Sequence, residues 1–148
     1  MYTYDYPRPA LAVDVVVFQS KNDQLRVLLI QRAQSPFEGS WALPGGFVGM
    51  QESLESAAAR ELAEKTGLEG CDLEQFHTYG DPLRDPRGRV VSVAYYAILP
   101  PETPIFIREG GDAKLARWFP LADLPELAFD HCQMIQNAYF HVRNRIED

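Results

Sequence analysis

Apolar and polar positions alternate along the chain in blocks that predict an ordered series of elements. Ala10–Gln19 (ALAVDVVVFQ) is almost unbroken β-branched and aromatic sequence and predicts a strand. Ser20–Gln24 is a polar break expected to turn, and Leu25–Gln31 (LRVLLIQ) predicts a second, well-buried strand. Arg32–Ser40 is expected to be a loop, and Trp41–Val48 to carry short extended pieces around Pro44-Gly45-Gly46. The period then changes. Ala58, Ala59 and Leu62 fall to one side at about 100° per residue, so a helix is predicted. Ser53 suits its N-cap, Glu55 the positive end of its dipole and Gly67 its left-handed stop. Asp72–Tyr79 and Arg89–Leu99 predict strands separated by a DPLRDPRG turn, and Pro100–Pro104 predicts an irregular loop. Ala113–Pro120 predicts a last short strand. Asp130–Ile146 predicts a helix, because Ile135, Ala138, Tyr139, Val142 and Ile146 recur every three to four residues. Strands on both sides of a central helix, with a closing helix, predict an α/β domain: an α/β/α sandwich around a central mixed sheet, formed by residues 1–148 as one unit.

The segment Gly46–Leu68 (GFVGMQESLESAAARELAEKTGL) carries the chemistry. Glu61 and Glu64 are three residues apart on a helix and so are neighbours. Two carboxylates held this close repel unless a cation lies between them, and oxygen donors of this kind suit Mg²⁺ or Mn²⁺. The Pro44-Gly45-Gly46 turn lets bare backbone approach, so a carbonyl there can add a ligand. An isolated E-x-x-E pair is ordinary on a solvated helix face. The distinguishing feature is the joint spacing of Gly46, Glu52, Arg60, Glu61, Leu62, Glu64, Gly67 and Leu68.

That spacing resembles the box of the Nudix hydrolases, G-x5-E-x7-R-E-U-x-E-E-x-G-U with U a bulky aliphatic, over 23 of the 148 residues. The flanking phrases WALPGGFV, GDPLRDPRGRVVSVAYYAIL and ARWFPLADLPELAFDH resemble the branch of that family that handles ADP-ribose. This branch includes both pyrophosphatases and the Nudix-like domains of ADP-ribose-sensing repressors. The resemblance implies the Nudix sandwich fold and Mg²⁺- or Mn²⁺-dependent hydrolysis of ADP-ribose to AMP and ribose 5-phosphate. It implies metal held by Glu61, Glu64 and the Gly45 carbonyl, with Arg60 orienting the carboxylates and Glu52 pairing with Arg60. An assisting acid after Leu99 would be Glu109 or Asp112. Homodimers are common in the family, and the Tyr-rich Met1–Pro9 segment is a candidate for forming one or a loose tail.

One position departs from the pattern. Lys65 stands where the family's E-E pair has its second glutamate, usually a principal metal ligand. A protonated lysine cannot coordinate metal. Lys65 can pair with Glu61, contact a substrate phosphate as a point charge, or swing outward. The departure therefore opens a second function, a module that binds ADP-ribose or a related nucleotide and hydrolyses it poorly.

Outside the box, Arg84, Arg87 and Arg89 crowd one turn and match phosphate oxygens, or else pair with Asp81 and Asp85. Phe37 or Trp41 can stack on a nucleobase or simply pack. His77, His131 and His141 lack metal-ligand spacing and are expected to be structural; no serine or cysteine sits in a nucleophile setting. Net charge is −7, which argues against broad nucleic-acid or anionic-membrane binding. The chain ends soon after its last helix, so no DNA-binding domain and no nucleic-acid partner are expected. No apolar run approaches the ~20 residues of a membrane span, and the N-terminus is no secretory signal. A cytoplasmic location is expected, with Cys71 and Cys132 reduced and structural.

Overall fold

The computed structural model describes residues 2–104, 107–108, 110–111 and 113–146, with the side chain at 146 left out. The elements in chain order are β1 (Ala10–Lys21), β2 (Gln24–Arg32), β3 (Trp41–Ala42), β4 (Gly45–Phe47), α1 (Leu54–Thr66), β5 (Glu74–Tyr79), β6 (Val90–Leu99), β7 (Ala113–Pro120) and α2 (His131–Ile146). The strands form one mixed sheet ordered β3-β2-β1-β6-β5, with β4 added to β1 and β7 to β2. Among the pairings between these strands only β1–β6 is parallel, and an isolated parallel bridge joins Trp41 to Leu127.

Alternation along β1 explains the layers. Val13, Val15 and Val17 point to one face, where Leu28, Tyr95, Ala57, Ala58 and Leu62 complete a core under α1. Val16 and Phe18 point to the other, where Leu29, Tyr96, Met134, Ile135, Ala138 and Val142 form a core under α2. This is the expected α/β/α arrangement. Asp14 belongs by parity to the α2 face and is itself buried.

Local signals placed most boundaries. The Ser53 hydroxyl accepts the Ser56 N–H at 3.1 Å, and Gly67 ends α1 at φ 82°. The turn expected over Ser20–Gln24 is tighter: Lys21 pairs with Gln24, and only Asn22 and Asp23 lie between, with φ of 54° and 62°. Asn and Asp tolerate this left-handed geometry, which matches strand twist in a two-residue hairpin. The apolar stripe of α1 is centred on Ala57, Ala58 and Leu62; Ala59 is exposed, and Glu61 and Lys65 extend the buried face. No helix among the described residues is long and apolar enough to cross a membrane.

One irregularity positions the site. β1 pairs with β2 over Phe18–Lys21, but over Ala12–Asp14 the same edge pairs with β4. β2 meanwhile runs on with β7 and β3. The two strands diverge, and the glycine bend before β4 enters the opening, where the Val15 N–H donates to the Pro44 carbonyl at 2.9 Å.

Candidate functional site

The acidic helix lies against this opening. Arg60 gathers its carboxylates: Nε donates to Glu52 Oε2 at 2.5 Å and Nη2 to Glu52 Oε1 at 3.0 Å. Nη1 donates to Glu61 Oε2 at 2.7 Å and to Glu64 Oε2 at 3.2 Å, and Nη2 also reaches the Phe47 carbonyl at 3.1 Å. The Arg60 bond and the Gly49 N–H hold the Glu52 carboxyl down at about 2. The bond to Glu52 in turn raises Arg60 above the usual guanidinium value. A Cβ at Gly46 would lie 2.5 Å from the Glu61 carboxylate, so a side chain there would displace that carboxylate from its place beside Arg60 and Lys65. At Gly45 a Cβ would lie 2.3 Å from the Val13 carbonyl oxygen and 2.4 Å from Asp14 Oδ1.

Lys65 points inward. It is 8% exposed, donates from Nζ to the Gly45 carbonyl, and sits 3.1 Å from Glu61 Oε1. That oxygen is buried and makes no aligned hydrogen bond. The Gly45 carbonyl and Glu61 thus converge on one point, as donors to a divalent ion would, and the Lys65 ammonium stands there. Among the described residues, no three carboxylate, imidazole or thiolate groups are placed to hold a metal ion. With Lys65 in this position, its ammonium occupies the point on which the Gly45 carbonyl and Glu61 converge.

Glu61, Glu64 and Lys65 line a cavity of about 400 Å³ with Asp14, Arg32, Arg84, Asp85, Arg87, Phe47, Phe129 and His131. Of the three candidate arginines, two face it. Arg84 makes a two-pronged bond to Asp130, Nε to Oδ2 at 2.9 Å and Nη2 to Oδ1 at 2.8 Å. Arg87 does the same to Asp85, at 3.0 and 2.7 Å. Burial would push the Asp85 carboxyl up, but the Arg87 bonds outweigh it and hold it below the usual range. Arg89 turns away to the Gly80 carbonyl and does not line the cavity. Phe37 is exposed at its edge and meets Phe129 edge-to-face at 4.8 Å. Trp41 packs in the α2-side core against Phe119. Glu109 and Asp112 lie outside the described residues; the neighbouring Gly110 backs onto the Glu64 carbonyl of α1.

Several cavity residues were missed by sequence reasoning. Asp14 accepts the Ser92 hydroxyl at 2.5 Å and lies 3.4 Å from His131 Nε2. Its signal was a lone carboxylate in an otherwise apolar strand. His131 is buried, accepts the Leu43 N–H on Nδ1 at 3.0 Å, and is held below its usual pKa by burial, which outweighs Asp14. Phe129 gave no signal, whereas the sequence marked Asp85 only as a partner for the turn arginines. His77 and His141 pack in an aromatic group with Phe76, Tyr79 and Tyr96. Cys71 and Cys132 are free thiols, the latter exposed.

The profile of the NUDIX domain matches residues 8–138. The chain is 41% identical over 133 residues to an ADP-ribose pyrophosphatase of Methanocaldococcus jannaschii, covering 89% of this chain and 74% of that protein. It is 37% identical over 145 residues to the ADPR responsive transcriptional repressor NtrR of Acinetobacter baylyi, covering 95% of this chain but only 57% of the repressor. Among solved structures, the NUDIX domain of Shewanella oneidensis NrtR complexed with ADP ribose superposes with a TM-score of 0.87 at 39% identity, covering 94% of both chains. The chain belongs to the Nudix family.

One expectation is overturned. Shewanella oneidensis NrtR has also been crystallised with a 27mer DNA; it is 39% identical, covers 91% of this chain, has a TM-score of 0.75, and this chain spans 63% of it. The exclusion of nucleic acid does not stand. The net charge of one domain cannot report on DNA contacts made by a protein in which that domain is a part.

Proposed function

We propose that this chain recognises ADP-ribose, or a nucleoside diphosphate of that type, in the cavity between α1 and the arginine turn, and that it hydrolyses the ligand poorly. The observation that carries this reading is Lys65, whose ammonium stands between the Gly45 carbonyl and Glu61. A fixed positive charge at that point attracts a diphosphate without an added ion. Arg84 and Arg87, each oriented by an aspartate behind it, add guanidinium donors to the same cavity. The relatives support the ligand, one being an ADPR responsive repressor and another a NUDIX domain complexed with ADP ribose.

The second reading, divalent-metal hydrolysis of ADP-ribose to AMP and ribose 5-phosphate, is favoured by the intact Glu52–Arg60–Glu61 network and by the 41% identity to an ADP-ribose pyrophosphatase. It requires Lys65 to leave the pocket. Calorimetric titration with ADP-ribose in chelator, paired with AMP detection in magnesium, separates the two. Binding in chelator with little AMP is expected. Rapid AMP release in magnesium, with no binding in chelator, would refute the recognition reading.

A further inference from the structure

We propose that the rings of Phe47 and Phe129 are the two walls of a slot for a purine base, and that the Arg87 guanidinium fills this slot until the base of a nucleoside diphosphate displaces it. The inference rests on the diphosphate reading above and names what binds beside it.

Arg87 Cζ lies 4.8 Å from the centre of the Phe47 ring and 5.3 Å from that of Phe129. Both distances are within cation–π reach. A guanidinium is flat and stacks on aromatic faces, and so is a nucleobase, whose stacking on aromatic side chains is a general mode of recognition. Displacing Arg87 would free aromatic surface on both rings for a base to stack on. Asp85, only 4% exposed, holds Arg87 in this pose through two side-chain bonds and accepts the Arg87 backbone N–H at 2.9 Å.

The wall itself is strained. Phe129 has φ 53° and the Phe37 ring that buttresses it has φ 61°. Left-handed backbone is uncommon for a bulky side chain and collects at ligand sites. The Phe47 ring leaves 44% of its surface in water although it borders the cavity.

Chain geometry joins the slot to the cation point. Gly45, whose carbonyl takes the Lys65 ammonium, and Phe47 both belong to the three-residue strand β4, and both line the cavity together with Lys65, Arg87 and Phe129. A ligand with its diphosphate at Lys65 therefore has a base-sized aromatic site within the same cavity.

The test is titration of the whole chain with adenosine, inorganic pyrophosphate and ADP-ribose, followed by calorimetry or NMR. Phe129→Leu is expected to lower the ratio of ADP-ribose to pyrophosphate affinity about tenfold, within the range for loss of one stacked base. Phe47→Leu, at an exposed position, is expected to do the same in a protein of unaltered melting temperature. Arg87→Met is expected to bind adenosine more tightly than wild type. Unchanged ratios in both phenylalanine variants overturn the slot even if pyrophosphate binds, and the diphosphate reading then survives alone. Phenylalanine-dependent adenosine binding without pyrophosphate binding supports the slot and sinks the diphosphate reading. Absence of binding by all three ligands overturns both.

Discussion

Replacing Lys65 with glutamate tests the central feature directly. The ammonium and Glu61 Oε1 are 3.1 Å apart, and both residues are under one-tenth exposed. Removing one partner of a buried ion pair costs about 3–5 kcal/mol. Here Arg60 still holds Glu61 Oε2, so the lower end, about 3 kcal/mol, is expected. At roughly 3 °C per kcal/mol for a domain of this size, Lys65→Glu should melt about 9 °C below wild type in chelator. The variant then presents a third carboxylate on the arc of Glu61 and Glu64, facing the Gly45 carbonyl. A divalent ion supplied at about 100 times its Kd should return about 2.7 kcal/mol, and most of the lost melting temperature with it. Differential scanning calorimetry in EDTA, magnesium and manganese reads both effects. Wild type should gain little from metal. Equal melting of variant and wild type in EDTA, or an equal metal-induced rise in both, would refute the placement of Lys65 at the cation point.

Three further outcomes follow from the geometry. The Glu52 carboxyl stands at about 2 in the fold against 4.5 unperturbed, so its contribution is complete above pH 4.5 and is lost as pH falls towards 2; acid denaturation followed by circular dichroism should show Glu52→Gln without that loss. His131 is buried and held below its usual 6.5, so the unfolded chain takes up a proton first and stability declines as pH drops through about 6.5; the decline between roughly pH 7.5 and 5.5 should be smaller in His131→Asn, and an identical slope would count against a buried neutral imidazole. Gly46→Ala should destabilise by about 1–3 kcal/mol in urea unfolding and abolish ADP-ribose binding, because the added methyl would lie 2.5 Å from the Glu61 carboxylate.

What was legible in the sequence was local. The cap at Ser53, the stop at Gly67 and the β-branched runs of β1 and β6 are set by neighbours a few residues away, and each element appears where expected. The pairing of Arg87 with Asp85 spans two residues and stood among the alternatives. Arg84 finds Asp130 across 46 residues, and His131 meets Leu43 across 88; neither pairing leaves a trace in spacing. The direction of Lys65 was open for the same reason. Its partner Glu61 is one helical turn away, but the carbonyl that draws it inward belongs to a strand 20 residues earlier. Phe129 escaped notice because an aromatic in a loop before a helix looks like packing until its backbone angle and its neighbours are known.

The change of partners along β1 has a mechanical consequence. One edge of that strand is zipped to β6 from Ala10 to Gln19, while the other forks between β2 and the three residues of β4. The cleft is thus the crotch of a fork with one thick, fixed limb and one thin one. Occupancy should stiffen the thin limb, slowing amide hydrogen exchange at Gly45–Phe47, while the amides of β6 continue to exchange only when the whole domain opens.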